Sequence, residues 1–368
     1  MRFSLSFTLL LAQSLSLFAF SSAATPNPLP GSADITARDP AIFYNADTKK
    51  YFVFATGAGI RIFQSSSLTG PWKRTGSVLK DQCSIIDHPG KCSNIWAPDV
   101  AKVNGTYTLY YSVSSLGKPD SAIGVAQSKT MEPGSWTDLG EVIRSKSGDN
   151  VNAIDPNLVK DKDGKLSLVF GSWWNGMYEV PLKNVKTPAK ALPGTHLAGS
   201  SGRAAEGGFV YKSPDSDWWF MFFSEGKTPL GGETTRPPKG KEYRVRVGRS
   251  KSPSGPFVDK TGDKLTVNMS PPSGWPILES HDNVYAPGGQ SLFRDPVSKR
   301  DVIVYHYVKK NEKPGGPSYL GINYVDFKSG WPVLVDVKTE KPKPTPAPAP
   351  APTPPPSSCS KPTRSRAR

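Results

Sequence analysis

Asn152-Ala153-Ile154-Asp155-Pro156-Asn157-Leu158-Val159 sets an acid directly before a proline, at the head of a short apolar run. The phrase recurs. Ala37-Arg38-Asp39-Pro40-Ala41-Ile42-Phe43 carries Asp39, and Ile95-Trp96-Ala97-Pro98-Asp99-Val100 has Ala97 at the equivalent place. Ala204-Ala205-Glu206-Gly207-Gly208-Phe209-Val210 has Glu206, and Val284-Tyr285-Ala286-Pro287-Gly288-Gly289-Gln290 has Ala286. The five positions are spaced by about 58, 58, 51 and 80 residues, and self-similarity at roughly that period marks a radial repeat such as a propeller. Three members of the column are acidic and two are alanine.

Each copy is followed by an aromatic and β-branched run, the composition of a strand. Lys50-Tyr51-Phe52-Val53-Phe54-Ala55 and Asp217-Trp218-Trp219-Phe220-Met221-Phe222-Phe223 are two of these. Turn residues separate phrase and run, as at Asn104-Gly105 and Asp161-Lys162-Asp163-Gly164, so each unit opens with a hairpin. A further phrase, Gly70-Pro71-Trp72, Gly134-Ser135-Trp136 and Gly255-Pro256-Phe257, ends a later turn in a large aromatic. Each unit thus holds about four short strands, which is one blade. Helical periodicity is absent. The expected fold is all-β, a five-bladed β-propeller over residues 24–338, with the long last step assigned to a Gly/Pro-rich loop at 226–242.

Arg2, the apolar run Leu5 to Phe20 and Ser21-Ser22-Ala23-Ala24 form a secretory signal peptide, taken as residues 1–23. The run is too short for the ~20 apolar residues a membrane span needs, and no second one exists. Residues 339–368 form a Pro-rich tail, expected to be disordered. Cys83 and Cys92 flank a short loop and should pair in a secreted protein. Cys359 is left over in the tail. Asn104 and Asn268 open glycosylation sequons. The net charge of +15 is scattered, and no basic run is interleaved with aromatics as in single-strand binders. Nucleic acid is therefore not an expected partner. An acidic polysaccharide, steered in by long-range charge, is the functional counterpart of a merely solvated basic surface. The protein is expected to be a monomer.

The first strand of every propeller blade lines the central channel, so Asp39, Asp155 and Glu206 should converge there from blades one, three and four. Alanine at the same place in two blades argues that the acids are not there for the fold. Three carboxylates in a channel repel one another and lose water, so at least one pKa rises. A base, an acid and a third carboxylate suit glycoside hydrolysis. Nearby, Asp99 is expected to be a structural carboxylate, and Glu225 to brace the 226–242 loop. Trp96 and one of Trp173 and Trp174 lie close to the acids and offer flat faces to a sugar, with Asn175 in a turn at the mouth. Four His and no ligand cluster leave no room for a catalytic zinc.

Over residues 34–338 the chain resembles the arabinanases of glycoside hydrolase family 43. The matching motifs are Arg38-Asp39-Pro40, Trp96-Ala97-Pro98-Asp99, Ala153-Ile154-Asp155-Pro156, Ala205-Glu206-Gly207 and Val304-Tyr305-His306. The resemblance implies an inverting hydrolase of arabinan. It makes Asp39 the general base, Glu206 the general acid, and Asp155 the residue that tunes and orients that acid. It also offers His306 as a ligand, partly through water, to calcium or another ion in the channel. The chemistry itself needs no cofactor. Many endo-acting members have His before the first Asp, where this chain has Arg38, so internal and terminal cleavage both stay open. An exo-acting arabinofuranosidase or β-xylosidase on the same fold, and a propeller that binds carbohydrate without turnover, are the alternatives.

Overall fold

The computed structural model describes residues 25–337, so the proposed signal peptide, the Pro-rich tail and Cys359 lie outside the described residues. Five antiparallel sheets follow one another along the chain. Blade one holds β1 (Ala41–Asn45), β2 (Lys50–Ala55), β3 (Arg61–Ser65) and β4 (Lys73–Ser77). Blade two holds β5 (Ile95–Val103), β6 (Thr106–Ser114), β7 (Ser121–Ser128) and β8 (Thr137–Ser145). Blade three holds β9 (Asn157–Lys160), β10 (Leu166–Phe170), β11 (Met177–Asn184) and two short outer strands, β12 (Thr187–Pro188) and β13 (Thr195–Ala198). Blade four holds β14 (Ala205–Tyr211), β15 (Trp219–Glu225), β16 (Arg244–Ser250) and β17 (Trp275–Leu278). Blade five holds β18 (Val284–Asp295), β19 (Arg300–Lys309), β20 (Tyr319–Asp326) and β21 (Val333–Val335). The inner strands β1, β5, β9, β14 and β18 each touch the next and close a ring, giving a five-bladed β-propeller.

The aromatic runs are second strands buried on both faces, because successive side chains point to opposite sides of a sheet. Phe220 and Phe222 join the core shared with blade five, while Met221 and Phe223 join the core shared with blade three. Leu168 and Phe170 likewise face blade two, and Val169 faces blade four. Trp72 and Phe257, the ends of the repeated turns, are buried. Asn104 and Gly105 both have positive φ, 47° and 77°, as a two-residue hairpin turn of the primed type requires. Asn104 and Asn268 are exposed.

Hydrogen bonds also cross the seam between blades five and one. Tyr51 Oη donates to Asp295 Oδ1 at 2.9 Å, and Ser291 Oγ donates to the Pro40 carbonyl at 2.8 Å. The chain before β1 also crosses the seam. Leu29 N–H donates to the Ile322 carbonyl at 2.8 Å and Ala37 N–H to the Ser318 carbonyl at 2.9 Å, so residues 29–37 lie along an edge of β20 that β21 leaves open. The first residues of the domain therefore clasp its last blade.

One expectation changes in detail. The long last repeat is not due to the 226–242 loop alone, because a second excursion separates β16 from β17 at residues 251–274. Cys83 and Cys92 are bonded as expected, and the loop they close puts Ile86 into the core between blades one and two.

Candidate active site

A bulge at the start of each inner strand builds the site. Pairing slips between Trp96 and Asp99, between Glu206 and Phe209, and between Tyr285 and Gly288. Thr56 N–H to the Arg38 carbonyl and Gly171 N–H to the Ile154 carbonyl mark the same kink in blades one and three. The residue after each kink is left-handed: Asp39 (φ 47°), Ala97 (46°), Asp155 (56°), Gly207 (63°) and Ala286 (52°). Blade four is thus offset from the sequence alignment. Gly207, not Glu206, occupies the column, and Glu206 stands one residue upstream, where the other blades have Arg38, Trp96, Ile154 and Tyr285. The alanines share the strained backbone, so the strain belongs to the bulge and the acids are an addition to it.

Polar ends of the second strands then tie blade to blade beneath the cleft. Thr56 Oγ1 accepts from Ala97 N–H at 2.9 Å and donates to Asp39 Oδ2 at 2.7 Å. Ser112 Oγ accepts from Asp155 N–H at 3.0 Å, and Asp155 Oδ2 accepts from Gly207 N–H at 3.0 Å. Ser224 Oγ accepts from Gly289 N–H at 2.9 Å and donates to Gln290 Oε1 at 2.8 Å, while Gln290 Nε2 donates to the Gly207 carbonyl at 2.7 Å. His306, fully buried, puts Nδ1 3.2 Å from Asp39 N–H and 3.3 Å from Asp39 Oδ1, so either neutral tautomer finds a partner on Asp39. Its Nε2 is 3.4 Å from Thr228 Oγ1.

The three acids do converge, and their environments drive them apart. Burial pushes Asp39 up, but the His306 contact, the Arg38 charge and the Thr56 hydroxyl outweigh it and bring its pKa down to about 2. Burial raises Asp155 well above the usual range, and the charges of Glu206 and Asp39 add to this. Burial also raises Glu206, opposed by hydroxyls from Ser172 (2.8 Å to Oε2) and Tyr243 (2.8 Å to Oε1). The Glu206 charge helps hold Asp155 up, and the Asp39 charge helps hold Glu206 up. The result is one carboxylate that stays ionised and a neighbouring pair that retains a proton.

They open into a cleft of about 890 Å³. Trp96, Trp173 and Trp174 line it, with Leu116 and Lys118 from the β6–β7 turn and Thr228 and Leu230 from the 226–242 loop. Trp173 is 42% exposed, and both it and Trp174 have positive φ (52° and 23°), an uncommon conformation for a bulky residue. Trp173 N–H donates to the Ala205 carbonyl at 2.8 Å, which ties this turn to the residue before Glu206. Arg38 donates to the Pro229 carbonyl (2.8 Å) and to Thr228 Oγ1 (2.9 Å), pinning the loop beside Asp39.

Asn175 sits in the expected turn, Trp173–Gly176, but Trp173 and Trp174 line the cleft and Asn175 is not among the lining residues. Glu225 does not brace the loop. It is buried in ion pairs with Arg203 (3.0 Å) and Arg246, which hold the Ser273 and Gly274 carbonyls. Asp99 is structural as expected, accepting from Leu158 N–H at 2.7 Å and Asn157 Nδ2 at 3.2 Å. Among the described residues no group of three or more His, Cys, Asp or Glu is placed to hold a metal. His306 would therefore supply one imidazole to any ion, and water the remaining ligands. Tyr243 and Ser172 were not singled out from sequence, since both reach Glu206 from outside its own inner strand.

The sequence pattern of Glycosyl hydrolases family 43 matches residues 33–332. A relative from Aspergillus clavatus, "Probable arabinan endo-1,5-alpha-L-arabinosidase A", is 45% identical over 84% of this chain and 94% of its own. "Arabinan endo-1,5-alpha-L-arabinosidase A" of Aspergillus niger is 42% identical over 81% of this chain and 91% of its own. Among solved structures, an exo-1,5-alpha-L-arabinanase from a bovine ruminal metagenomic library superposes with a TM-score of 0.69 at 29% identity, covering 83% of this chain and 99% of that one. A Cellvibrio cellulosa alpha-L-arabinanase complexed with arabinohexaose gives a TM-score of 0.69 at 28% identity, covering 82% and 96%.

Proposed function

The chain belongs to glycosyl hydrolase family 43, and from that premise we propose that it hydrolyses internal α-1,5-L-arabinofuranosidic linkages of arabinan with inversion, as a secreted enzyme of plant cell wall breakdown. The observation that carries this is the split between Asp39, held ionised, and the Asp155–Glu206 pair, held partly protonated, in one Trp-walled cleft. Environments that push two carboxyl groups apart assign a base and an acid. Glu206 protonates the departing glycosidic oxygen. Asp39 takes a proton from the water that attacks the opposite face of the furanose, as charge builds towards an oxocarbenium ion. Asp155 accepts from Gly207 N–H, next to Glu206, and so orients the acid, while the Asp39 charge resists its ionisation.

Linear arabinan tests the reading. Expected products are mixed oligomers, released with inverted anomeric configuration in proton NMR before mutarotation. Arabinose alone as product would move the assignment to the exo-acting alternative, which Arg38 favours by pinning residues 228–230 against the cleft. Binding without cleavage would make the protein a lectin.

A smaller effect checks the acid. Tyr243 Oη donates to Glu206 Oε1 and favours its ionised form. Tyr243→Phe removes that donor, so Glu206 should hold its proton to higher pH. The basic limb of kcat/KM should move up. A limb that stays put or moves down would show that Tyr243 does not act on Glu206.

A further inference from the structure

Three other indoles lie away from the cleft, two of which, Trp218 and Trp331, also pack on the core between blades four and five. Trp218, Trp275 and Trp331 gather at the outer edge of blade four, where the β20–β21 turn lies against it. They alternate with cations. The Arg249 guanidinium is 4.1 Å from the Trp218 ring centroid and 4.4 Å from that of Trp331. Lys260 Nζ is 4.3 Å from Trp275 and 5.7 Å from Trp331, and Lys251 Nζ is 3.8 Å from Trp218. These are cation–π distances.

Among the described residues, none of Arg249, Lys251 and Lys260 has a carboxylate within ion-pair distance. Asp259, the neighbour of Lys260, is buried and spent on the Thr261 hydroxyl and the Gly274 N–H. The cations also crowd one another: after burial, the charge of Arg249 is what lowers the Lys260 pKa, and Lys251 weighs on nearby Lys212. Lys251 and Lys260 are nonetheless exposed, and Trp275 is 39% exposed. Stacking on indoles orders these long side chains in advance, which lowers the entropy lost when a ligand arrives.

The location separates this row from the cleft. β15 runs from Trp219, beside the row, to Ser224 and Glu225, where Ser224 belongs to the network under the acids. At about 3.3 Å per residue that is roughly 20 Å.

We propose that this row of alternating indoles and cations is a second binding surface, and that its ligand is a polyuronate, a polysaccharide with one carboxylate on each ring. Its carboxylates meet Arg249, Lys251 and Lys260, and the apolar C–H face of a ring packs on the open part of Trp275. The surface deepens the proposed function: it anchors the protein to an acidic matrix polysaccharide while the cleft cuts the neutral side chains attached to it.

The test measures binding of polygalacturonate, by affinity electrophoresis or calorimetry, alongside hydrolysis of soluble linear arabinan. Lys251→Gln combined with Lys260→Gln should weaken polygalacturonate binding by about tenfold or more, the scale of losing one or two charge-assisted contacts. Lys186→Gln combined with Lys190→Gln removes the same charge elsewhere and should change binding by less than about twofold. Trp275→Ala should weaken polygalacturonate binding and leave duplex DNA binding as it was. All three should hydrolyse linear arabinan like the parent. Equal losses in the two lysine pairs would reduce the effect to net charge, and DNA binding as tight as polygalacturonate binding would do the same. No loss in the Lys251/Lys260 pair would overturn the surface outright. Failure of the parent to cut arabinan would count against the cleft assignment alone.

Discussion

Glu206→Gln is expected to cut arabinan about 10²–10⁴-fold more slowly than the parent, the usual worth of general acid catalysis. Glutamine keeps the shape: its one carbonyl oxygen accepts from Ser172 or Tyr243, and its amide NH2 can donate to the other hydroxyl, so the fold should hold. What it lacks is the proton for the leaving oxygen. An aryl arabinoside whose leaving group departs without protonation should therefore lose far less, provided the cleft admits it. The comparison of substrates carries the weight. An equal loss on both would mean that Glu206 matters for binding or packing, and the acid would have to be sought elsewhere in the Asp155–Glu206 pair.

The second large effect is at Asp39. Asp39→Asn should slow arabinan and the activated aryl substrate alike, by about 10²–10⁴-fold, because both need a water made nucleophilic. The amide also disturbs the His306 and Thr56 contacts, so stability should be checked separately by thermal unfolding. In the parent, the free Asp39 carboxyl titrates at about 2. The base is ionised above that pH, so its acid limb in kcat/KM should lie near 2 as well. An acid limb between 4 and 5 would mean that a more ordinary carboxylate is the base. Selective loss on arabinan in the Asp39 variant would reverse the two roles.

The blade count could be read because Pro follows all four left-handed non-glycine positions of the column: Asp39-Pro40, Ala97-Pro98, Asp155-Pro156 and Ala286-Pro287 punctuate the chain at the bulge. Blade four replaces that proline with Gly208, so the sequence offers no anchor there. Matching acid to acid puts Glu206 one residue out of register: it reaches the cleft, but from the position before Gly207, which holds the column. The network beneath the acids left a fainter trace, a hydroxyl or His closing an apolar second strand at Thr56, Ser112, Ser224 and His306. The partners of Glu206 left none, because Ser172 and Tyr243 reach it across the fold from other segments. Asn175 lies in the expected turn, but which residues of that turn face the cleft cannot be aimed from composition when Trp173, Trp174 and Gly176 all have positive φ. Glu225 shows the limit for ion pairs. Its two arginines, Arg203 and Arg246, lie 22 and 21 residues away along the chain, and no periodicity connects them.

The two alanines at the head of β5 and β18 have a meaning beyond packing. Ala97 and Ala286 already adopt the backbone that presents Asp39 and Asp155, at φ values within about ten degrees of theirs. Aspartate and asparagine tolerate that conformation better than alanine does. Both positions are therefore blank sockets in a circular array. A polar side chain can be plugged into either one without redesigning the main chain, and the ring of five could be rewired blade by blade.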